Sequence, residues 1–227
     1  MASHPLPNAP LSDDPTLDEV RDALIADVAS NAAFDGWGAN AVEVAAQQHG
    51  LDPAIARLAF AGGATGMIDA WFAHIDAQMA GRLPAETLAA MKIRERITAL
   101  VEARLAIVAP DREALRRALA VLAMPQNLPL AARLGWRAAD AMWRLAGDTA
   151  TDFNHYTKRM SLGAVYASTM AVFLDDDSED HADTRAFLAR RIDNVMQFEK
   201  WKAQAKGRRS HRPSLSRFIG RLRYPGV

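Results

Sequence analysis

Side chains able to carry acid–base, metal or nucleophilic chemistry are present in this chain but scattered. The six histidines stand at 4, 49, 74, 155, 181 and 211. There is no cysteine, which excludes disulfides and thiolate ligation. No Gly-x-Ser-x-Gly elbow, His-Glu-x-x-His pair, P-loop or Gly-x-Gly-x-x-Gly turn occurs. No Glu-x-x-His pair is available for a carboxylate-bridged metal site of the helical-bundle kind. Asp152 and His155 are spaced to share a helix face, but two ligands fall short of a coordination shell. The acidic run Asp175–Asp180 lacks the glycine and distal glutamate of a calcium loop, and reads as a solvated turn that caps the next helix. No catalytic residue and no metal ligand follows from these patterns, and a non-enzymatic role is the expectation.

Charge is more informative. The chain has 27 Lys and Arg against 27 Asp and Glu, but the balance is uneven. From Lys200 to Val227 there are nine basic residues and no acidic one, which leaves Met1 to Glu199 with a net charge of −9. Within that basic tail, Leu215, Phe218, Ile219 and Leu222 fall at i, i+3, i+4 and i+7, while Arg217, Arg221 and Arg223 project mostly elsewhere. This is the pattern of a short interfacial helix on an anionic membrane surface. The same tail could dock on the acidic body or serve as a nucleic-acid arm, but the apolar stripe has no use in the latter. No segment reaches the ~18 apolar residues of a membrane span. Met1 to Asp14 has no basic residue or apolar core and is not read as a targeting peptide. The expected location is cytoplasmic, peripheral on the inner face of a bacterial cytoplasmic membrane.

The elements that position these residues are all helical. Residues 1–15 hold four prolines and no periodicity, and read as a disordered lead-in. Asp18–Ala33, Asn40–His49 and a helix opened by Asp52-Pro53 and running to Phe60 are short; Gly62-Gly63 then breaks the chain before a longer helix over about Thr65–Gly81. That order is the helix-turn-helix arrangement of the tetracycline-repressor class. The third helix, where a DNA reader carries its basic and amide side chains, offers only Arg57. Residues 17–62 contain two basic and seven acidic side chains, and a surface of net −5 repels phosphate. The module therefore reads as a fold signal without nucleic-acid binding; a ligand-sensing transcription regulator is the alternative.

Helices over Met91–Val108, from Pro110-Asp111 to before Pro125, from Pro129 to Leu145, from Thr151 or Asp152 to Leu174, and from Asp183 to about Ala205 complete a bundle. The expected organisation is a lead-in at 1–15, a helix-turn-helix-like module at 16–64, a bundle at 65–205 and an amphipathic tail at 206–227. Soft or bulky apolar side chains gather on two bundle helices: Trp136, Met142, Trp143, Phe153, Met160, Met170 and Phe173. They fit an ordinary core. They also fit a groove for a long apolar ligand, because Gly163, Ala164, Ala167 and Ala171 on the same helix leave room.

The segment Gly147-Asp-Thr-Ala-Thr-Asp-Phe-Asn-His-Tyr-Thr-Lys-Arg159 is a turn, a choice of N-caps and an amphipathic helix start. It resembles the signature of the lipid-binding accessory proteins of ubiquinone biosynthesis, the Coq-nine family. Phe34-Asp-Gly-Trp37, Met91–Ile97, Arg116–Ala120 and Thr184-x-x-Phe-Leu-x-x-Arg-Ile192 fit the same family in the same order, over about residues 20–200. The resemblance implies a tetracycline-repressor-like all-α fold that has given up DNA. It implies an isoprenoid quinone intermediate as ligand in the bundle, with no other cofactor, delivered to the di-iron demethoxyubiquinone hydroxylase. A homodimer and a C-terminal membrane helix are further implications. Carried over by position, the surface that meets the hydroxylase comprises Asp152, His155, Tyr156 and Arg159, with His155 standing where the family pattern leads one to expect tryptophan.

Overall fold

A computed structural model describes the backbone of residues 14–149, 151 and 153–210, and the side chains of 14–149, 151 and 154–197. Ten α-helices follow one another among the described residues: α1 (Leu17–Asp35), α2 (Ala39–Gln48), α3 (Pro53–Ala59), α4 (Gly63–Arg82), α5 (Ala85–Ala89), α6 (Ile93–Val108), α7 (Arg112–Leu122), α8 (Leu128–Leu145), α9 (Phe153–Leu174) and α10 (Ala182–Ser210). Two compact units divide the chain, one ending at Leu188 and one beginning at Ala189. The lead-in up to residue 13 and the tail stripe of Leu215, Arg217, Phe218, Ile219, Arg221, Leu222 and Arg223 lie outside the described residues.

Local signals explain the starts of the first helices. Thr16 caps α1 in a capping box: its hydroxyl accepts from Glu19 N at 3.3 Å, and the Glu19 carboxylate accepts from Thr16 N at 2.8 Å. The Thr16 N–H and hydroxyl both donate to that carboxylate, which favours the ionised form and holds the Glu19 carboxyl below its ordinary range. Asp52 caps α3 by accepting from Ala54 N at 2.7 Å, with Pro53 in the first turn. Helix α1 packs on α2, α3, α4 and α7, which joins the three-helix module to the bundle. Val20, Leu24, Ile25 and Val28 of α1 are buried in that junction.

Trp37 strengthens it. The residue stands in the turn after α1, yet it is buried, and its indole Nε1 donates to the Ala114 carbonyl on α7 at 3.1 Å. Its ring lies 5.3 Å from that of Trp71 on α4, which meets Phe72 edge-on at 5.8 Å. On α3, Arg57 is tied to Glu43 at 2.8 Å, and Ile55 and Leu58 are exposed.

Two features differ from the sequence reading. Helix α5 was not expected; Pro84 starts it immediately after α4 ends. The acidic run Asp175–Asp180 does cap the next helix, but it is no freely solvated turn. Asp176 is buried, and its carboxylate accepts from Ser178 N and Oγ at 2.9 and 2.5 Å and from Thr184 N and Oγ1 at 2.8 and 2.5 Å. Burial alone would raise its pKa; the bonds from Ser178 and Thr184 outweigh that and hold the carboxyl far below the usual range. From α7, Arg112 donates to the Asp176 carbonyl at 2.6 Å, and Arg116 to the Leu174 carbonyl at 2.6 Å. The loop is thus pinned from both sides.

Candidate functional site

The signature segment lies at the junction of α8 and α9, and buried charge shapes it. Arg159, in the second turn of α9, has a side chain only 2% exposed. Its Nε donates to Asp140 of α8 at 2.6 Å. Its Nη1 donates to Asp148, just after α8, at 3.0 Å and to the His155 carbonyl at 3.2 Å. Asp148 also receives Lys158 Nζ at 2.6 Å, and the Lys158 ammonium sits 5.2 Å from the Trp143 ring centre. Trp143 in turn donates its indole N–H to the Lys158 carbonyl at 3.0 Å. Opposed carboxylates and cations therefore clamp the first turns of α9 against the end of α8.

The turn between them needs Gly147. Its φ of +87° is left-handed territory, and a Cβ there would stand 3.3 Å from Arg96 Nη1. Arg96 spans the same corner, donating to the Ala146 carbonyl at 2.8 Å and to the Met91 carbonyl at 2.9 Å. The conformation of the signature is thus fixed from α6 as well as from α8.

On the outer side of the clamp, three rings cluster. Trp136 of α8 lies 6.2 Å from His155 and 5.9 Å from Tyr156, and the last two meet edge-on at 5.2 Å. Tyr156 is 57% exposed and Met160 67%. Ala164, Ala167 and Ala171 continue the same exposed stripe along α9 at helical spacing.

The residues expected to meet a partner consequently separate. His155 and Tyr156 belong to the outer cluster, while Arg159 is withdrawn from the surface and holds the cluster from behind; Asp152 lies outside the described residues. Arg159 is corrected from a surface contact to a buried one, because Asp140 and Asp148 together offer it more than water does. The apolar set also separates. Met142, Met170 and Phe173 are buried, Trp136 and Trp143 are half-buried, and Met160 faces outward; the Phe153 side chain is not among those described. A shallow groove of about 390 Å³ runs along α6, lined by Met91, Arg94, Glu95, Thr98, Ala99 and Glu102, and none of the described members of the apolar set borders it. Among the described residues no group of three or more acidic or histidine side chains could hold a metal ion. No described helix is long and apolar enough to cross a membrane.

A short three-helix module welded to a larger helical bundle defines a tetracycline-repressor-like all-α protein. In agreement, the structure is similar to that of a TetR transcriptional regulator from Nitrosomonas europaea, with a TM-score of 0.63 over 78% of this chain and 98% of that one; at 22% identity the likeness concerns the fold alone. The model of the COQ9 family matches residues 128–199, from the start of α8 into α10, and the chain is similar to proteins of that family. It is 34% identical to the mitochondrial ubiquinone biosynthesis protein COQ9 of Rattus norvegicus over 178 residues, 75% of this chain and 57% of that protein. The Homo sapiens relative of the same name is 41% identical over 106 residues, 47% of this chain and 33% of its own length. The Drosophila melanogaster one is 27% identical over 195 residues, 84% of this chain and 60% of its own. The chain thus spans between a third and three fifths of these relatives' length.

Proposed function

We propose that this chain is a non-enzymatic accessory protein of ubiquinone biosynthesis, which takes an isoprenoid quinone intermediate from a membrane and presents it to the di-iron demethoxyubiquinone hydroxylase. The observation that carries the reading is the aromatic cluster of half-buried Trp136 and His155 with exposed Tyr156, continued by exposed Met160 along α9 and braced from within by Arg159. A rigid amphipathic patch of this kind is what a protein partner engages, since rings and a Met give contact area at low entropic cost. It lies inside the stretch matched by the COQ9 family model, and the relatives carry ubiquinone biosynthesis in their names. A protein sheath for the isoprenoid has a clear physical purpose, because exposing the chain to water costs about 0.8 kcal/mol per methylene. The same α9 stripe suits a second copy of the chain in a homodimer. The basic tail would bring the bundle to the inner face of a bacterial membrane.

Gently purified protein should carry a co-extracted quinone or other lipid, visible by native mass spectrometry; protein that is lipid-free under those conditions would defeat the presentation role. Liposome flotation with and without residues 207–227 isolates the tail: anionic vesicles should float the full chain and not the shortened one, and equal flotation would remove the tail from the scheme. The alternative of a transcription regulator gains nothing from α3, whose one basic side chain is neutralised by Glu43 beside exposed Ile55 and Leu58. A flat electrophoretic-shift series at low salt would dispose of it.

A further inference from the structure

Helix α6 buries a stripe of Ile97, Leu100, Val101, Leu105 and Val108, and one member of that stripe is a cation. Arg104 is 0% exposed. Its Nη1 donates to the Asp76 carboxylate on α4, and its guanidinium carbon lies 5.0 Å from the ring centre of Tyr166 on α9. Its Nε and Nη2 make no hydrogen bond of good geometry, and the neighbouring Tyr166 side chain supports the charge. Burial disfavours the charge, but Tyr166 and Asp76 outweigh it and raise the pKa, so the group stays protonated. A permanently charged fork with unmet N–H groups in an apolar interior is costly unless something else supplies oxygen.

Asp76 does not supply it. Its second oxygen receives Arg137 Nε at 3.2 Å, and Arg137 also holds Asp69 at 2.5 Å, where exposed Arg133 joins at 2.7 Å. Three guanidinium groups thus share two carboxylates, and Asp76 divides its charge between Arg104 and Arg137. Beyond Tyr166, the buried face of α9 continues through Met170 and Phe173, so apolar side chains adjoin the polar end.

We propose that Arg104 is the interior anchor for the oxygen-bearing head of an amphiphile, with Nε and Nη2 donating to a carbonyl or carboxylate oxygen while the apolar chain lies toward Met170 and Phe173. This rests on the lipid-binding reading and names the end of the ligand that the protein grips. Both a quinone and a fatty acid present that oxygen, and the probes separate them: a decyl-substituted benzoquinone, palmitate, and tetradecane as a tail without a head.

The test is titration of the full chain with each probe, followed by the tryptophan emission, and by the Nε–H resonance of Arg104 in protein labelled with ¹⁵N-arginine. The expected result is that one headed probe shifts the Arg104 resonance and binds at least ~10-fold more weakly to Arg104→Met, while tetradecane binds both proteins equally. Because Arg104→Met leaves Asp76 with a single cation, the double variant Arg104→Met with Asp76→Asn is measured beside it, and both must first show a wild-type circular dichroism spectrum. Should headed probes bind all three proteins alike with the Arg104 resonance unmoved, or should that resonance report only a bound water, the anchor is wrong while lipid binding stands. Failure of every probe to bind the wild type overturns lipid binding and the anchor together.

Discussion

Arg159 and Arg104 are both buried arginines, one at the α8–α9 junction and one at the meeting of α4, α6 and α9, and the two environments differ in the acceptors they offer. Arg159 finds two carboxylates and a carbonyl for its N–H groups. Arg104, more deeply buried, finds one carboxylate, shared with a second arginine, and leaves Nε and Nη2 unmet. A buried cation whose Nε and Nη1 both reach carboxylates acts as a rivet. One with donors to spare carries unused binding capacity. Residue type and burial do not separate the two; the count of acceptors does.

The contrast can be broken by measurement. The largest effect is expected at Arg159→Met, which strips Asp140 and Asp148 of a shared partner. A loss of ~3–5 kcal/mol should follow, as for other buried pairs deprived of one member. Thermal unfolding should register it as a drop in Tm of about 2–4 °C per kcal/mol. Arg104→Met should cost less, about 1–3 kcal/mol, because its unmet donors leave with the side chain. If Arg104→Met proves the more damaging, the comparison fails.

Asp176 extends the comparison to an acid with every acceptor position in use. Its folded pKa lies below its unfolded value of about 3.9, so its stabilising contribution is complete above that pH and declines as pH falls further, toward its folded value. Asp176→Asn should lower the denaturation midpoint at pH 7, by an amount in the ~1–3 kcal/mol range of lost buried hydrogen bonds, and the gap between variant and wild type should narrow in acid. An undiminished gap at pH 2 would deny the carboxylate its role.

How much of this was legible in the sequence follows from how local the causes are. The starts of α1 and α3 are settled within three residues, by Thr16 with Glu19 and by Asp52 with Pro53, and both were readable. The tetracycline-repressor-like order of helices rests on such signals and on apolar periodicity. The signature segment was recognisable as a motif, yet the role of Arg159 was not, because its acceptors lie 11 and 19 residues away and only the packing of α8 on α9 brings them together. Trp37 was missed as a core residue since turns are expected at the surface; its burial depends on Ala114, 77 residues on. Arg104 did leave a trace, a polar residue at a helical position where the α6 stripe of Leu100, Val101, Leu105 and Val108 calls for an apolar one. Asp176 left none, being one acid among several.

The Trp37–Trp71 pair carries a consequence of its own. Two indoles 5.3 Å apart, tilted by 45°, couple their electronic transitions, and one of them is tethered to α7 while riding on the module that contains α3. The molecule therefore contains a native optical gauge. Near-ultraviolet dichroism from this pair would vanish whenever the module peels from the bundle, and would persist through any event, such as loading a ligand between α6 and α9, that leaves the two joined.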